Sequence, residues 1–397
     1  MIQVTDKHKC CGCTACQQIC PKQCIEMKED QEGFLYPAID SKACIDCGNC
    51  ESVCPVLHPF SPFTVMPKAF ACKSKNTSLR MQSSSGGIFS ILATEIINMG
   101  GIVVGASFLP DWSVGHTIAY SQEELGRFRG SKYVQSHLGN IFRTIREELK
   151  VNKPVLFSGT PCQVAGLRHF LKKNYDNLYT IDFVCHSIPS PKVWKMYLSQ
   201  CAGGTEVNYI SFRNKNDGWH NYGLLIKDCD NHVIESGDNT TNPYMRGFLD
   251  NLYVRPSCHA CPARCYTSGS DIMLADCWGL EKYHPNLDDD KGMSQVLIVT
   301  KKGIMLWDKC SAKMDALHIP YAEVEDHALH LPITSSTPPN RYREYFFLHF
   351  EQQPLKELIT YCLKKSDSHA RMVNYWKGIG RLIALDKLYR IWKKVRK

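Results

Sequence analysis

The chain has 397 residues, of which 44% are hydrophobic and 22% charged, so it is long enough for two or three globular domains. Its net charge of +8 comes from residues 361–397, which by themselves carry +9, so the rest of the chain is nearly neutral. The 21 cysteines do not indicate a small secreted disulfide protein, because the chain is long and its polar start, MIQVTDKHKC, lacks the apolar segment of a signal peptide.

The first 57 residues contain two copies of one cysteine pattern. C-x2-C-x2-C-x3-C begins at Cys10 and again at Cys44, and a proline follows each copy. This pattern is typical of two-cluster ferredoxins, in which the fourth cysteine of each copy binds the other cluster. We predict one [4Fe-4S] cluster on Cys10, Cys13, Cys16 and Cys54, and a second on Cys20, Cys44, Cys47 and Cys50. Zinc is the alternative, but it favours two separated CxxC pairs.

A ferredoxin domain of residues 1–57 carries single electrons and performs no substrate chemistry alone. Cys11 and Cys24 lie outside its ligand pattern and are expected to fill space near the clusters. The proline-rich residues 58–67 predict a linker. The remaining residues should therefore contain the group that donates or accepts the electrons.

Residues 68–335 alternate between strand and helix patterns, which predicts an α/β domain with a mixed sheet. Strands are predicted at KAFACKS, IVVGASF, PVLFSG, YTIDFVC, DIMLADCWG and SQVLIVTKKG, and antiparallel strands within residues 206–238. Helices are predicted at GGIFSILATEIINMGG, HLGNIFRTIREELKV, TPCQVAGLRHFLKKN and SPKVWKMYLSQC. The expected fold class is α+β and α/β. It combines the small ferredoxin domain, this larger α/β domain and a helical C-terminal tail over residues 336–397.

Two cysteines lie at the carboxyl ends of neighbouring predicted strands. Cys162 is in the first turn of the helix after PVLFSG, with Thr160 as N-cap and Pro161 beside it, and Cys185 ends YTIDFVC. Strands joined by a helix are normally parallel, so both cysteines should lie at the ligand-binding edge of the sheet. The helix N-terminus should favour the thiolate of Cys162.

A third group of cysteines occupies the loop before DIMLADCWG. Cys258 and Cys261 can reach the same edge if that strand joins the sheet. We predict a third [4Fe-4S] cluster on Cys162, Cys185, Cys258 and Cys261, with Cys265 as the alternate ligand. In the alternative, Cys162 and Cys185 are buried small side chains, and the loop holds zinc or no metal.

Several segments resemble the coenzyme F-420 hydrogenase/dehydrogenase beta-subunit family. Besides the ferredoxin head they are SSSGGIFS, GSKYVQS, LFSGTPCQVAGL, DFVCHSIPSP, SFRNKNDGW and SDIMLADCWG, so the resemblance covers roughly residues 1–310. It implies an iron–sulfur flavoprotein whose FAD exchanges hydride with coenzyme F-420 or another two-electron partner, and it leaves the substrate open. Where the family commonly has CHG, this chain has Ser187 after Cys185 and His186, and Ala275 and Cys277 replace a glycine and an aromatic residue. These departures weaken an assignment of F-420 itself.

A flavin is needed if hydride is exchanged, because hydride carries two electrons and each cluster accepts one. Two turns are candidates for binding its phosphates: Ser84, Ser85, Gly86 and Gly87 at a predicted helix start, and Gly130, Ser131, Lys132 and Tyr133 after Arg129. The second turn resembles the family's flavin-contacting segment. The alternative for both is an ordinary helix cap or loop.

The sequence identifies no catalytic residue, but Cys185, His186, Arg213 and Lys215 are candidates. Residues 211–219, with two cations and Trp219, could clamp an anionic substrate, stack on a ring system or form a polar hairpin turn. His186 could tune the neighbouring cluster, donate a proton or serve only as a structural histidine.

Residues 385–394 predict a basic amphipathic helix. It could lie on an anionic membrane surface, bind an acidic partner protein or dock on the body as a terminal helix. We expect no nucleic-acid partner, because no reader motif accompanies it. No run of about 18 apolar residues predicts a membrane-spanning helix.

The preferred interpretation is a cytoplasmic iron–sulfur flavoenzyme that passes electrons between FAD and its clusters. Its partner would be a redox protein or a small two-electron substrate. One alternative is a non-catalytic electron-transfer subunit of a larger redox complex. The other is a basic-tailed binding protein in which the clusters are structural.

Overall fold

The structure is a computed structural model that describes residues 1–62, 66–264, 266–326 and 334–367. The head contains two short helices, α1 (Ala15–Ile19) and α2 (Asn49–Ser52), and an antiparallel ribbon of β1 (Ile25–Glu29) and β2 (Leu35–Ile39). Each helix contains the third cysteine of its copy, and the fourth cysteine follows the helix. The repeated sequence thus forms two equivalent loop-and-helix units.

The body is built on two sheets. Its strands are β3 (Lys68–Ser74), β4 (Ile102–Phe108), β5 (Val114–Ala119), β6 (Val155–Ser158), β7 (Leu178–Phe183), β8 (Val207–Asn214), β9 (Gly223–Asp228), β10 (Val233–Asp238), β11 (Ile272–Asp276), β12 (Ser294–Ile298) and β13 (Met314–Ile319). The large sheet has the order β13-β3-β12-β11-β7-β6-β4-β5, and the small antiparallel sheet has the order β10-β9-β8. The central strands β11, β7, β6 and β4 are parallel and the outer pairs antiparallel. The predicted mixed sheet is confirmed.

Helices connect and cover these strands. They are α3 (Thr77–Met81), α4 (Ile88–Asn98), α5 (Ile141–Lys150), α6 (Pro161–Leu171), α7 (Pro191–Ala202), α8 (Pro243–Leu249), α9 (Lys301–Cys310), α10 (Tyr321–Asp326), α11 (Arg343–His349) and α12, which begins at residue 355 and is described to 367. Short 3-10 turns occur at Lys7–Lys9, Glu123–Phe128, Pro256–Ala260, Leu280–Lys282, Pro285–Leu287 and Ser311–Lys313. The strands β5 and β13 were not predicted. Both are edge strands of the large sheet, where the burial pattern is less regular.

The alternation of buried residues along each strand separates two apolar layers. Val103 and Leu156 pack with α4 and α9 on one face of the large sheet. Their neighbours Val104 and Val155 pack with α5 and α6 on the other face. Period-two alternation is what a sheet covered on both faces requires.

The head shares the second of these apolar layers. Cys11, Cys13, Ala15 and Val53 are buried in the same cluster as the apolar side chains of α5 and α6. Residues 58–67 were predicted to be a linker, and most of this stretch is described. The shared apolar layer nevertheless makes the head part of the body's core and not a separately packed domain.

Much of the predicted tail also belongs to the core. Phe346 and Phe350, near α11, and Leu355, Leu358 and Ile359 of α12 are buried with α7, α8 and the small sheet. The body fold therefore extends beyond residue 335, where we expected it to end. The predicted amphipathic helix over residues 385–394 lies outside the described residues. Among the described helices, none is long and apolar enough to cross a membrane.

Candidate iron–sulfur and redox site

The head cysteines form two groups, and each group combines three residues of one copy with the fourth of the other. Burial and the charges of the nearby Cys10 and Cys54 raise the pKa of Cys16 to about 12, so Cys54 of the second copy lies with the first. A cavity is lined by the other four, which are Cys20, Cys44, Cys47 and Cys50. This crossed arrangement is the one expected for a two-cluster ferredoxin.

Cys24 is a fifth thiol in the second head group. Its sulfur lies 3.4 Å from that of Cys20, and the same cavity is lined by both. This group is close to the surface, since Cys47 is exposed and Ile45 is 57% exposed. Part of the second group therefore lies at the protein surface.

The spacing of the thiols fits a cluster better than a single ion. With zinc–sulfur bonds of about 2.3 Å, the sulfurs of a tetrahedral site would be about 3.8 Å apart. Within the described parts of the chain, the one trio of candidate ligands within 4.8 Å of each other is Asp228, Asp230 and His232 on an exposed turn, and it contains no cysteine. The cysteines of the described residues form no disulfide. No three thiols of the described residues are thus as close together as the ligands of one zinc ion would be, which favours clusters over zinc.

Four body cysteines line one cavity. Cys162, Cys185, Cys258 and Cys261 all line an internal space of about 40 Å³. Burial raises the pKa of each thiol, that of Cys258 to about 12, although for Cys162 the contact with Cys11 has a larger effect. A metal cluster would supply the positive charge that thiolates need in such a dry site. Cys265, the predicted alternate ligand, lies outside the described residues.

Cys162 is held by a capped helix start. The backbone N–H of Thr160 donates to the Gln163 side chain at 3.0 Å, which caps α6, and the Thr160 hydroxyl lies 3.2 Å from the Cys162 sulfur. The N-terminal position of Cys162 was expected to favour its thiolate. Contact with Cys11 and burial act against this effect, because they raise the pKa of Cys162 well above its usual value.

The loop cysteines reach the cavity by a route that was not predicted. Because β11 runs parallel to β7, the loop immediately before β11 lies at the opposite edge of the sheet. The chain first pairs Val254 with Pro189, and the Arg255 N–H donates to the Ile188 carbonyl at 2.9 Å. This short antiparallel pairing beyond the end of β7 brings Cys258 to the correct edge.

Cys11 is the residue that the sequence analysis missed. It was expected to fill space, but it lines the body cavity and its thiol contacts that of Cys162. Its neighbour Cys10 is a predicted ligand of the first head cluster. Two consecutive residues thus join the first head group to the body cavity, and no spacing rule in the sequence indicated this.

The two predicted phosphate-binding turns lie side by side. The Ser131 N–H donates to the Ser84 hydroxyl at 2.7 Å. The Ser85 hydroxyl already donates to the Met293 carbonyl at 2.5 Å, and the Gly86 N–H donates to the Ser294 hydroxyl at 2.9 Å. Ser85 and Gly86 therefore have structural partners, and Ser84 lies beside the turn at Ser131. At Gly87, which has φ +85°, α4 begins without a side-chain cap.

The turn after Arg129 carries positive charge without a matching acid. The Lys132 ammonium donates to the backbone carbonyls of Arg127, Arg129 and Gly130, and burial lowers its pKa to about 7. Among the ion pairs of the described residues, none involves Arg129 or Lys132. Gly130, with φ +76°, has open space beside it, and Tyr133 follows. The residues of this turn fit an anionic group such as a phosphate.

Arg213 is held in a pair that the sequence did not indicate. Its guanidinium, 6% exposed, donates two hydrogen bonds of 2.8 Å to Asp276 and a third of 3.0 Å to the Ser84 carbonyl. Asp276 lies between Ala275 and Cys277, the two positions that depart from the family pattern, and it was overlooked.

Aromatic rings cover the pair of Arg213 and Asp276. The indole of Trp219 donates to Asp276 at 3.2 Å and stacks on Trp278 with 4.0 Å between ring centroids. Arg213 lies 3.9 Å above the ring of Tyr222. These residues make a rigid wall beside the predicted phosphate turns.

The other two candidate catalytic side chains also have protein partners. The Lys215 ammonium donates to the carbonyls of Arg80, Ser85 and Lys291, and burial together with Arg213 lowers its pKa to about 8. The His186 ring contacts the Leu249 carbonyl at 3.1 Å, and burial lowers its pKa. His186 is thus placed as a structural histidine would be. Cys185, the fourth candidate, lines the cavity.

Two segments of the chain match models of known protein families. Residues 9–57 match the model of the 4Fe-4S dicluster domain, and residues 152–321 match that of the C terminus of the coenzyme F420 hydrogenase/dehydrogenase beta subunit. A chain of the F420-reducing [NiFe] hydrogenase complex from Methanosarcina barkeri is 16% identical, with 79% of this chain and 94% of that chain covered and a TM-score of 0.46. The comparison with curated proteins gave no match. Residues 9–57 are therefore similar to 4Fe-4S dicluster domains, and residues 152–321 are similar to the C terminus of the coenzyme F420 hydrogenase/dehydrogenase beta subunit.

Proposed function

We propose that the chain is an oxidoreductase that passes electrons between a two-electron partner at a bound FAD and three [4Fe-4S] clusters. The observation that carries the proposal is the meeting of four body cysteines at one cavity that Cys11 of the head also lines. Head and body residues thus line the same cavity. It is the position that a relay cluster needs.

The proposed ligands of the three clusters are twelve cysteines. The first head cluster would be held by Cys10, Cys13, Cys16 and Cys54, the second by Cys20, Cys44, Cys47 and Cys50, and the body cluster by Cys162, Cys185, Cys258 and Cys261. Cys10 and Cys11 are consecutive, and Cys11 lines the body cavity, so the first head cluster would lie beside the body cluster. The exposed second group offers the exit to a redox partner protein.

The proposed flavin site lies at the neighbouring turns that contain Ser84 and Ser131. A bound FAD would supply the conversion between two-electron and one-electron transfer. Arg129 and Lys132 would neutralise its phosphates, because they have no acidic partner among the described residues. The wall formed by Arg213, Asp276 and the stacked indoles would exclude water from one side. We infer no role for coenzyme F-420 itself, since the departures at Ala275 and Cys277 border this wall.

The alternative is a subunit that only transfers electrons and has no flavin. It is favoured by the hydrogen bonds of Ser85 and Gly86 to protein atoms, which leave fewer free groups for a phosphate than the sequence indicated. In either case the free thiols require a reducing compartment, which we propose is the cytoplasm. A redox partner protein remains the proposed partner.

Anaerobic purification followed by metal and flavin analysis tests these assignments. We expect about twelve irons and one FAD per chain, and the Cys162→Ser variant should lose about a third of the iron. The matched control is Cys201→Ser, because Cys201 is half-buried, lines neither cavity and donates a hydrogen bond to Glu235. Unchanged iron in Cys162→Ser would refute the body cluster. Full iron without flavin would favour the electron-transfer subunit.

A further inference from the structure

Arg255 is a buried cation at the junction of the head and the body cavity. Its side chain is 1% exposed and lines the cavity together with Cys11, Cys258 and Cys261. Its guanidinium donates hydrogen bonds to the Cys10 carbonyl at 2.8 Å, the Leu35 carbonyl at 2.9 Å and the Gln135 side chain at 3.0 Å. It also approaches the Cys10 sulfur to 3.6 Å. One side chain therefore contacts both predicted cluster sites.

The charge of Arg255 has no carboxylate partner within the described parts of the chain. Other buried arginines do: Arg80 pairs with Asp289, Arg168 with Asp271, and Arg213 with Asp276. The groups around Arg255 are backbone carbonyls, an amide, the rings of Phe34 and Tyr36, and thiols. A buried charge is costly unless an opposite charge or polar groups compensate it. The nearby groups able to carry negative charge are the sulfurs of Cys10, Cys11 and Cys258 and the phenol of Tyr36, and burial raises the pKa of Tyr36, which keeps that phenol neutral.

The head is shaped to leave room for this guanidinium. Gly12 has φ +70°, a conformation that favours glycine. A Cβ at this position would lie 2.8 Å from an Arg255 nitrogen and 2.9 Å from the Gln135 amide. The glycine between Cys11 and Cys13 thus permits Arg255 to reach the first cluster loop.

We propose that Arg255 is the shared counter-ion of the first head cluster and the body cluster, and that it raises the reduction potential of both. Reduction adds one negative charge to a cluster, so a fixed cation in a dry site favours the reduced state. A hydrogen bond to a ligand sulfur acts in the same direction. The part concerning the body cluster rests on the proposed function, whereas the part concerning the head cluster does not. Arg255 is a positioning and tuning residue and takes no part in bond making.

The test is a redox titration followed by electron paramagnetic resonance on the anaerobic full chain. Arg255→Gln and Arg255→Met remove the charge, and Arg255→Lys keeps it. The matched control is Arg343→Met, because Arg343 also joins head and body but has its own acidic partner, Glu32. Iron per chain is measured for every variant.

We expect both neutral variants to raise the oxidised-to-reduced ratio of the first head cluster at least tenfold at a fixed potential. For a one-electron couple this equals 59 mV. The body cluster should shift in the same direction, and the second head cluster should not shift. Arg255→Lys and Arg343→Met should stay within about threefold of the unmodified chain.

Each other outcome is decisive. Neutral variants with full iron and unshifted ratios would overturn the proposal, as would an equal shift in Arg343→Met. If the neutral variants lose iron, normal loading of Arg255→Lys supports the counter-ion role, whereas equal loss in Arg255→Lys identifies a purely steric support and overturns it. The unmodified chain could also prove to contain only the two head clusters. If the neutral variants then still shift the first head cluster, the body cluster of the proposed function is refuted, whereas the role of Arg255 as counter-ion of the head cluster is retained.

Discussion

Single residues decide how closely the head can approach the body. Gly166, in the middle of α6, faces Cys13, and a Cβ there would lie 2.8 Å from the Cys13 Cβ and 2.9 Å from its sulfur. In a helix interior, glycine is normally unfavourable relative to alanine. Its presence is explained by the predicted cluster ligand that packs against it.

We predict that Gly166→Ala damages the first head cluster. The added methyl group must displace Cys13 or α6, and overpacking of this kind costs about 1–3 kcal/mol. Iron per chain should fall and the thermal unfolding midpoint should drop. Gly126→Ala is the control, because the nearest atom to its Cβ is 3.8 Å away. A fully loaded Gly166→Ala protein of unchanged stability would contradict this packing argument.

His116 gives the protein a defined pH dependence. Burial lowers its pKa to about 4, and its Nε2 contacts the Ser158 carbonyl just before the turn that leads to Cys162. The folded state keeps the ring neutral, while the unfolded chain binds a proton below about pH 6.5. Stability from this group is therefore complete above that pH and is lost progressively as the pH falls towards 4.

We predict that His116→Gln is less sensitive to mild acid than the unmodified chain. Between pH 7.5 and 5.5 the unmodified chain should lose about 1 kcal/mol more of its free energy of unfolding. Thermal unfolding followed by circular dichroism under anaerobic conditions measures the difference. Parallel losses in the two proteins would show that His116 is not the titrating group.

At the scale of elements, β8 and β11 belong to different sheets, and one buried ion pair joins them. Arg213 of β8 donates two hydrogen bonds to Asp276 at the end of β11 and a third to the carbonyl of Ser84 before α4. Burial acts to lower the pKa of Arg213, but the charge of the neighbouring Asp276 outweighs it and holds the pKa above its usual range. The pair thus fixes the wall of the proposed flavin site.

We predict that Asp276→Asn destabilises the protein by about 3–5 kcal/mol, because it leaves the Arg213 charge buried without its partner. The double variant Asp276→Asn with Arg213→Met should recover part of this loss. A double-mutant cycle from chemical unfolding gives the coupling. If the single and double variants are equally destabilised, the ion pair is not the cause. Flavin content measured on the same samples shows whether the wall of Arg213, Asp276 and the stacked indoles is needed for flavin binding.

For the whole molecule, the question is whether the head behaves as an independent domain. Gln18 of the head accepts a hydrogen bond of 2.9 Å from the Phe142 N–H at the start of α5, and Arg143 donates to the Gln18 carbonyl at 2.6 Å. Arg343, near the other end of the chain, is paired with Glu32. Together with the shared apolar layer, these contacts couple head and body over three regions of the sequence.

We therefore predict that head and body unfold in one transition. Loss of cluster absorbance and loss of circular dichroism should coincide on heating, because the head cannot separate without exposing the core that it shares with α5 and α6. In Gln18→Ala, the freed N–H groups of α5 should exchange hydrogen faster. Two separate transitions in the unmodified chain would contradict the coupling and favour a tethered ferredoxin.

The sequence by itself determined the dicluster pattern, the alternation of strands and helices, and the two strand-end positions of Cys162 and Cys185. These features are local, because the spacing of ligands within a loop depends only on residues close together in the sequence. The same is true of the hydrophobic periods of strands and helices. The roles of Cys11, Arg255 and Asp276 were decided only by the tertiary structure. Each role depends on contacts between residues far apart in the chain, such as Cys10 and Arg255. These contacts are set by the order of strands in the sheet and by the docking of the head on the body. No local sequence pattern encodes the strand order or the docking.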